Sequence, residues 1–352
     1  MRRIDPAFWK GRRVFVTGHM GFKGAWLCAL LSRLGAISIG FGKDNREPLL
    51  YRELKPHNHI HNLGDINDGS ALESALVESG AEVLIHLAAW PLVLSSYGDP
   101  VGTFDTNILG TAKVLQAARK GPALKSIIVI TTDKVYENHE WPWAYREQDA
   151  LGAADPYSAS KAAAEIVTQS MSKSYFPNGG SPGVATARAG NVIGGGDWAE
   201  HRLLPDAARA LDRDEPLICR NPDSVRPWQH VLDPLAGYLL LAETMATAQH
   251  DLPIAWNFGP APMDALKVRE VADLFVQNWS GERKWITSKT PPAEKEAEIL
   301  TIDSALARAK LGWQPRWNGR EAVVRTVDWY RAYSNGGDAQ ELVDRDILDY
   351  IS

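Results

Sequence analysis

The sequence predicts an α/β fold, with a doubly wound parallel sheet and a smaller, mixed α/β C-terminal lobe. Three observations indicate it. Apolar, β-branched runs such as residues 127–130 have the composition of strands buried on both faces of a parallel sheet. Through the first 190 residues these runs alternate with helical segments. Beyond residue 190 the pattern changes to short segments rich in Trp, Pro and Arg.

The predicted elements follow one another in regular order. Strands are predicted at residues 13–17, 36–41, 59–63, 83–87, 127–130 and 184–188, and helices at about 22–34, 69–79, 101–119 and 157–174. Residues 138–156 form a loop that is longer than a sheet connection needs. We therefore predict a sheet domain at 1–190, to which 232–258 returns, and a substrate-binding lobe at 191–231 and 259–352.

Composition excludes several classes of protein. The chain has 352 residues, 45% of them apolar, and a net charge of −5, which gives no reason to expect a nucleic acid or an anionic membrane as partner. Cys28 and Cys219 are too few for a disulfide framework and suit a reducing cytoplasm, and Cys28 is expected to be a small core residue. Because Asp5, Pro6 and Lys10 interrupt the N-terminal segment, we expect no signal peptide and a cytoplasmic location.

A glycine-rich turn joins the first predicted strand to the first helix. Gly18, Gly21 and Gly24 would allow a tight turn, close approach of a pyrophosphate, and packing of the helix on the sheet. A merely structural turn is the alternative, but the strand, turn and helix context favours a Rossmann domain that binds a dinucleotide. The other predicted cofactor contacts in this turn are His19, Phe22 and Lys23.

The loops after the second and third strands predict which dinucleotide binds. Asp44 would accept the ribose hydroxyls of NAD, whereas the adjacent Lys43 would suit the 2′-phosphate of NADP. Asp65 and Ile66 would hold the adenine. Asp44 and Asp65 could each equally be an ordinary loop residue. We expect NAD.

Reactive side chains stand at the end of the strand at 127–130. Thr132, Asp133 and Lys134 follow it, at the edge of the sheet where α/β proteins bind ligands, although a polar strand exit would look the same. Tyr157 and Lys161 lie four residues apart on one helix face, where a nearby ammonium and a positive nicotinamide would favour the phenolate. A chance pairing on a solvated helix face is less favoured once the glycine turn is present.

Three histidines alternate along the third predicted strand. His57, His59 and His61 could place their rings on one face and bind a metal ion. A polar face at the edge of the sheet is the simpler interpretation, and we expect no metal.

Taken together, these motifs resemble the extended short-chain dehydrogenase/reductase superfamily and its NAD-dependent epimerase/dehydratase family. A closer resemblance, to the CDP-glucose 4,6-dehydratases, runs over nearly the whole chain. It is carried by residues 8–11, 17–24, 133–138, 155–158, 187–198, 226–231 and 256–260. The resemblance implies further cofactor contacts at Leu87, Ala88, Ala89, Asn107 and Ala189.

The resemblance also implies a mechanism. Tyr157 would deprotonate the sugar C4 hydroxyl while hydride passes to NAD, aided by Thr132 and Lys161. The C5 proton and the C6 hydroxyl would then leave, and the hydride would return to C6. Asp133 fits the general acid, and Lys134 occupies the place of the C5 base, a role it can fill only when neutral.

Substrate contacts follow from the same resemblance. Arg226 would grip the substrate diphosphate, although a surface ion pair is the alternative, and further contacts would come from Asn191, Arg202, Leu204 and Asn257. Departures from the family pattern at Trp90, Leu94, Lys295 and residues 153–154 leave the sugar and the nucleotide open. The expected partners are CDP-glucose and a second copy of the chain, paired through the helices at 101–119 and 157–174, in deoxysugar and O-antigen biosynthesis. A nucleotide-sugar 4-epimerase, a dehydratase of another nucleotide sugar and an NAD-binding regulatory protein are the alternatives.

Overall fold

A seven-stranded parallel sheet forms the centre of the structure, a computed structural model that describes residues 2–43, 50–176, 182–247, 252–279, 284–288 and 297–352. In these ranges the strands are β1 (Arg13–Thr17), β2 (Ile37–Gly42), β3 (His59–Leu63), β4 (Val83–His86), β5 (Ser126–Ile130), β6 (Gly183–Arg188), β7 (Val192–Ile193), β8 (Leu217–Cys219), β9 (Val225–Arg226), β10 (Gln229–His230), β11 (Ala255–Asn257), β12 (Leu266–Lys267) and β13 (Trp285–Thr287). The main sheet has the order β11-β6-β5-β4-β1-β2-β3.

Helices cover both faces of this sheet and build the second half of the chain. They are α1 (Pro6–Trp9), α2 (Phe22–Arg33), α3 (Leu50–Glu53), α4 (Gly69–Ser79), α5 (Val93–Gly98), α6 (Pro100–Phe104), α7 (Gly110–Ala118), α8 (Pro156–Tyr175), α9 (Leu203–Asp212), α10 (Leu232–Thr247), α11 (Val268–Trp279), α12 (Ala305–Leu311), α13 (Gly319–Ser334) and α14 (Ala339–Ile351). None of the helices in the described ranges combines the length and the apolar character that a bilayer crossing requires.

The predicted doubly wound parallel sheet is confirmed. The apolar runs became its buried strands, and β5 is buried along its whole length. Prediction was most accurate where caps and turns act locally. Asp68 caps α4 by accepting a hydrogen bond from the Ala71 N–H, and Gly80 ends the helix in the left-handed region at φ +58°.

The predicted helix at 101–119 is interrupted, which corrects the sequence reading. A π-helical turn at Asp105–Leu109 separates α6 from α7. Periodicity alone does not reveal one extra residue in a turn, and such turns are frequent at functional sites. Asn107, a predicted cofactor contact, lies in this turn and is buried.

The second half of the chain packs directly on the sheet domain. One apolar cluster contains residues from both sides of residue 190, including Trp26 of α2 and Trp329 of α13. The Trp26 indole donates to the Gly195 carbonyl at 3.0 Å. β11 pairs with β6 at the edge of the main sheet. The division of the chain into two domains stays a prediction.

Candidate active site

The glycine turn has the shape that a dinucleotide requires. Gly18 has φ +71°, and a Cβ there would lie 2.6 Å from the Ala88 nitrogen. A Cβ on Gly24 would lie 2.3 Å from the Gly18 carbonyl oxygen, so α2 packs against the turn at this glycine. Gly21 is exposed and begins α2 with no side chain capping the first turn. The first N–H groups of α2 are therefore available to a phosphate, and the residues present fit a dinucleotide.

The adenine end of this site is only partly described. Asp44 lies outside the described residues. Asp65 follows β3, where its carboxylate pairs with the Lys43 ammonium at 2.6 Å and accepts from the Asn67 N–H at 2.9 Å. Burial is the largest single influence and raises the pKa of Asp65, but the bonds to Lys43 and Asn67, with the charges of Lys43 and Lys113, together outweigh it and lower that pKa. Ile66 is buried beneath α7, where a Cβ on Gly110 would meet it at 2.6 Å.

The loop after β4 is tied to the glycine turn. The Ala88 N–H donates to the Thr17 hydroxyl at 3.2 Å, and the Leu87 N–H donates to the Thr17 carbonyl at 3.1 Å. The Thr17 hydroxyl also lies 2.7 Å from Nδ1 of the buried His86. Ala89 follows in the same loop and is partly exposed, so these three predicted contacts border the turn.

Asn107 joins this loop to α8. Its side-chain oxygen accepts from the Trp90 N–H at 2.8 Å, and its amide donates to the Ser160 hydroxyl at 2.8 Å. The Ser160 hydroxyl in turn donates to the Tyr157 carbonyl at 2.6 Å. Trp90, a departure from the family pattern, turns its indole N–H to the Ser95 hydroxyl at 2.8 Å. Asn107 therefore ties the loop after β4 to the start of α8, the helix that carries Tyr157.

Thr132 and Asp133 stand together at the end of β5. The Thr132 hydroxyl donates to Asp133 Oδ1 at 3.0 Å. Asp133 is 1% exposed, and its Oδ2 has no hydrogen-bond partner among the described residues. Burial raises the pKa of Asp133, against the opposing charges of Lys134, Arg226 and Lys23. A buried carboxyl whose proton is retained is suited to general acid catalysis.

Tyr157 and Lys161 project from α8 toward the same place. Burial raises the pKa of Tyr157 to about 12, although the Thr132 hydroxyl lies close enough to oppose the rise. The Lys161 ammonium donates to the Ile130 carbonyl at 2.9 Å, and burial lowers the pKa of Lys161 to about 8. The structure thus brings together the predicted Thr132, Asp133, Tyr157 and Lys161. Lys134 is partly exposed beside them, and its N–H donates to the Thr132 hydroxyl at 3.4 Å.

Two arginines of the second half of the chain reach this site. Arg202, just before α9, donates to Asp197 at 2.7 Å, and the Arg202 charge opposes the rise in the pKa of Tyr157. Arg226 in β9 is buried and donates to the carbonyl oxygens of Val225 and Glu298 at 2.9 and 3.2 Å. The predicted departure at Lys295 lies outside the described residues.

The remaining predicted substrate contacts are Asn257, Leu204 and Asn191. Asn257 is fully buried, and its amide donates to the Tyr145 and Asp303 carbonyls, both at 3.0 Å. Its oxygen accepts from the Tyr136 hydroxyl at 2.6 Å, so its polar atoms are all engaged within the protein. Leu204 is also buried, in the first turn of α9. Asn191, directly after the buried Ala189 and Gly190, has φ +42°, a backbone conformation that suits a sharp turn into the site.

Sequence reasoning missed two features of this site. Asp197 pairs with Arg202, and the only sequence signal was their spacing of five residues directly after the glycine run at 194–196. Lys23 was predicted only as a contact in the turn, yet burial together with the charges of Arg202 and Lys161 lowers its pKa to about 8. The same lysine lies close enough to Asp133 to oppose the rise in that carboxyl's pKa. No sequence pattern connects residues 23 and 133.

Comparison with known proteins shows the family to which the chain belongs. The sequence model of the GDP-mannose 4,6 dehydratase family matches residues 15–326. The chain is 41% identical to the CDP-glucose 4,6-dehydratase of Salmonella typhimurium over 355 residues, which cover 99% of each protein. It is 28% identical to the dTDP-glucose 4,6-dehydratase of Streptomyces antibioticus over 275 residues, covering 76% of this chain and 75% of that protein.

Solved structures share the fold. The dTDP-glucose 4,6-dehydratase of Bacillus anthracis in complex with NAD superposes with a TM-score of 0.76 at 21% identity, covering 95% of this chain and 100% of that chain. The UDP-glucose 4-epimerase of Thermotoga maritima gives a TM-score of 0.80 at 22% identity, covering 91% and 99%. At these identities the structures establish the Rossmann fold and not the reaction.

Proposed function

The chain belongs to the GDP-mannose 4,6-dehydratase family, and we propose that it is an NAD-dependent 4,6-dehydratase of CDP-glucose. Asp133 carries the proposal. A 4-epimerase needs only the redox groups, whereas a dehydratase also needs an acid that protonates the departing C6 hydroxyl. A carboxyl that is 1% exposed, has a raised pKa and lies beside Thr132 supplies that acid.

The chain's own residues divide the work. Gly18, Gly21 and the start of α2 would hold the NAD pyrophosphate, and the loop at Leu87 to Ala89 would border the dinucleotide. When bound, NAD takes up the hydride from C4 of glucose and supplies it to C6. The pairing of Lys43 with Asp65 leaves that lysine engaged, which supports NAD over NADP.

Proton transfers are assigned to the residues at the end of β5 and on α8. Tyr157 accepts the proton of the C4 hydroxyl, and Thr132 orients the sugar beside it. Lys134, beside Asp133, removes the C5 proton when it is neutral. Asp133 donates its proton to the C6 hydroxyl, which leaves as water. The hydride taken from C4 is then returned to C6, and Lys134 gives a proton back to C5. The product is a 4-keto-6-deoxy sugar, so one molecule of water is lost and no net oxidation occurs.

The assignment of Lys134 as the C5 base has a test of its own. Lys134→Ala should abolish exchange of the C5 hydrogen with solvent deuterium, while hydride removal from C4 continues, because only the second step needs a base at C5. Lys10→Ala, an exposed lysine at the end of α1, is the matched control. Full turnover by Lys134→Ala with C5 exchange intact would assign the base elsewhere.

Binding of the nucleotide diphosphate is assigned to the second half of the chain. Arg226 and Arg202 both act electrostatically on the catalytic cluster, the first on Asp133 and the second on Tyr157. Guanidinium groups suit a diphosphate, which accepts bidentate hydrogen bonds. The identity of 41% across the whole length to a CDP-glucose 4,6-dehydratase supports CDP-glucose as the substrate. Because Trp90 and Leu94 depart from the family pattern, the identity of the sugar needs an experimental test.

One substrate experiment tests the proposal. CDP-glucose deuterated at C4 is incubated with the enzyme and the product is examined by NMR. Deuterium at C6 of a 4-keto-6-deoxy sugar is the expected result. A C4 epimer would refute dehydration, and turnover of the UDP-, dTDP- or GDP-sugar without turnover of CDP-glucose would refute the substrate. NAD bound with no turnover of any sugar would indicate a regulatory protein.

We further propose that the enzyme works in the cytoplasm as a homodimer paired through α6, α7 and α8. These helices and the intervening turn expose apolar side chains, among them Val101 at 75%, Ile166 at 59% and Leu109 at 53%. Such a patch is typical of an interface. Light scattering after gel filtration should give twice the chain mass of 38.8 kDa. Ile166→Lys should yield monomers, and a wild-type monomer would refute the pairing.

A further inference from the structure

Three histidines from two separate segments meet at the edge of the main sheet, and we propose that they bind one divalent transition-metal ion. His19 lies in the glycine turn, and His59 and His61 lie on β3. One ligand atom from each ring lies within 4.8 Å of the other two. The proposed metal site comprises His19, His59 and His61, with Tyr51 beside them, and it involves none of the catalytic residues assigned above.

The sheet brings these rings together by register. β3 runs parallel to β2, and His59 and His61 stand opposite Ser38 and Gly40. Alternation along the strand puts both histidines on one face. Gly40 leaves the space that the His19 ring fills, since a Cβ there would lie 2.3 Å from that ring. The third histidine is thus supplied by the glycine turn, and His57, which precedes β3, is not part of the cluster.

Ring positions are close to what a tetrahedral ion needs. His19 Nε2 lies 2.7 Å from His61 Nδ1, and His59 Nε2 lies 2.9 Å from the Tyr51 hydroxyl. Ligand atoms placed tetrahedrally at about 2.1 Å from Zn²⁺ are about 3.4 Å apart. When the ion binds, the two nitrogen atoms of the His19–His61 pair would therefore move apart, and a His59 nitrogen would move toward them. The ring centroid of His19 lies 5.0 Å from the ring centroid of Tyr51 and 4.9 Å from that of His61. The Tyr51 oxygen or a water molecule completes the four ligands.

Surrounding groups favour metal binding over a simple hydrogen-bond network. Ser38 lies 2.7 Å from Nδ1 of His59 and orients that ring from behind, as outer partners do for metal ligands. Nδ1 of His19 is buried without a hydrogen-bond partner among the described residues. His61 is exposed, so an ion can enter from solvent.

The ligand set predicts which ions bind. Imidazole nitrogens suit Zn²⁺, Co²⁺, Ni²⁺ and Cu²⁺, whereas Mg²⁺ and Ca²⁺ require oxygen ligands. The group of possible ligands contains no carboxylate. Such an ion would fasten the glycine turn to β3 and would do so whatever substrate the enzyme uses. The inference therefore stands independently of the proposed reaction.

Binding is tested on untagged, chelator-treated protein with Co²⁺ and Zn²⁺ alone as probes. Co²⁺ should give the visible absorption bands of a four-coordinate nitrogen site and saturate at one ion per chain, and Zn²⁺ should displace it. His61→Gln should weaken Co²⁺ binding by about a hundredfold or more, because a direct ligand is lost. His57→Gln, an exposed histidine two residues before β3, is the matched control and should bind as the wild type does.

Stability gives a second readout that needs no catalysis. Zn²⁺ should raise the unfolding temperature of the wild type and of His57→Gln, and should leave that of His61→Gln unchanged. Far-ultraviolet circular dichroism checks that His61→Gln is folded, as expected for an exposed side chain. The inference is overturned if the wild type binds no stoichiometric Co²⁺, if His61→Gln binds as tightly as the wild type, or if Mg²⁺ competes equally.

Discussion

A buried carboxyl that is not among the candidate active-site residues makes stability depend on pH in a way that can be measured. Asp233 lies in the first turn of α10 and is 0% exposed. Its Oδ1 accepts from the Arg316 N–H at 2.6 Å and from the Tyr350 hydroxyl at 2.9 Å, while Oδ2 has no partner among the described residues. These hydrogen bonds lower the pKa of Asp233, but burial has the larger effect and raises it from 3.8 to about 7.

Proton uptake by Asp233 decides whether the free energy of unfolding rises or falls with pH. Because the folded pKa exceeds the unfolded one, the folded state holds a proton between about pH 4 and pH 7 that the unfolded chain releases. The stabilisation is fully present below the unfolded pKa and is lost as the pH rises to about 7. A shift of roughly three units at about 1.4 kcal/mol each amounts to about 4 kcal/mol. Asp233→Asn removes the titration and should gain stability relative to the wild type as the pH rises.

Urea unfolding followed by tryptophan fluorescence measures the effect at pH 5, 6, 7 and 8. The free-energy difference between Asp233→Asn and the wild type should shift in favour of the variant by about 1.4 kcal/mol per unit from pH 5 to pH 7, then level off. Taking the difference cancels the titration of other groups. Asp212→Asn, which removes an exposed carboxylate at the end of α9, controls for the loss of one charge. A difference that stays constant over this range would refute the reasoning.

Three further substitutions test the active site and its support. Asp133→Asn should lower dehydration by about 10² to 10⁴-fold while the absorbance of reduced cofactor still appears, and near-normal turnover would contradict its role as acid. Gly190→Ala should impair dehydration in a folded enzyme, because the new Cβ would lie 1.7 Å from Asp133 Oδ2, whereas Gly69→Ala, with open space around it, should be neutral in the same assay. Glu165→Gln should cost about 3–5 kcal/mol in urea unfolding, since it leaves buried Arg188 without its bidentate partner; a loss under 1 kcal/mol would show that the pair is not structural.

Prediction from sequence succeeded where the physical cause is local. β1 and β3 have the predicted bounds because each is a short run between turn residues. The place of Thr132 and Asp133 followed from the end of β5, since ligand sites in parallel sheets lie at the carboxyl ends of strands. The placement of Tyr157 and Lys161 on one face of α8 followed from their spacing of four residues. These features need no information from a distant part of the chain.

Contacts between distant segments escaped prediction. The histidine pattern on β3 was visible, but His19 joins it from 42 positions away along the chain, through the space at Gly40. Asn257 stays a predicted substrate contact, but the sequence did not reveal the two backbone carbonyls to which its amide donates. Such partners depend on strand register and on which side chain is absent, and neither can be read from periodicity.

The states of Tyr157 and Asp133 show how far the protein alone prepares the reaction. Asp133 is already suited to its proposed role as acid, because burial outweighs three nearby cations and favours the protonated carboxyl. Tyr157 is not yet suited, since burial raises its pKa to about 12 and the Lys161 ammonium donates to a backbone carbonyl. A base at neutral pH must have its pKa lowered by additional positive charge beside the phenol. The proposed acid is thus prepared by the fold itself, whereas the proposed base depends on a cationic cofactor.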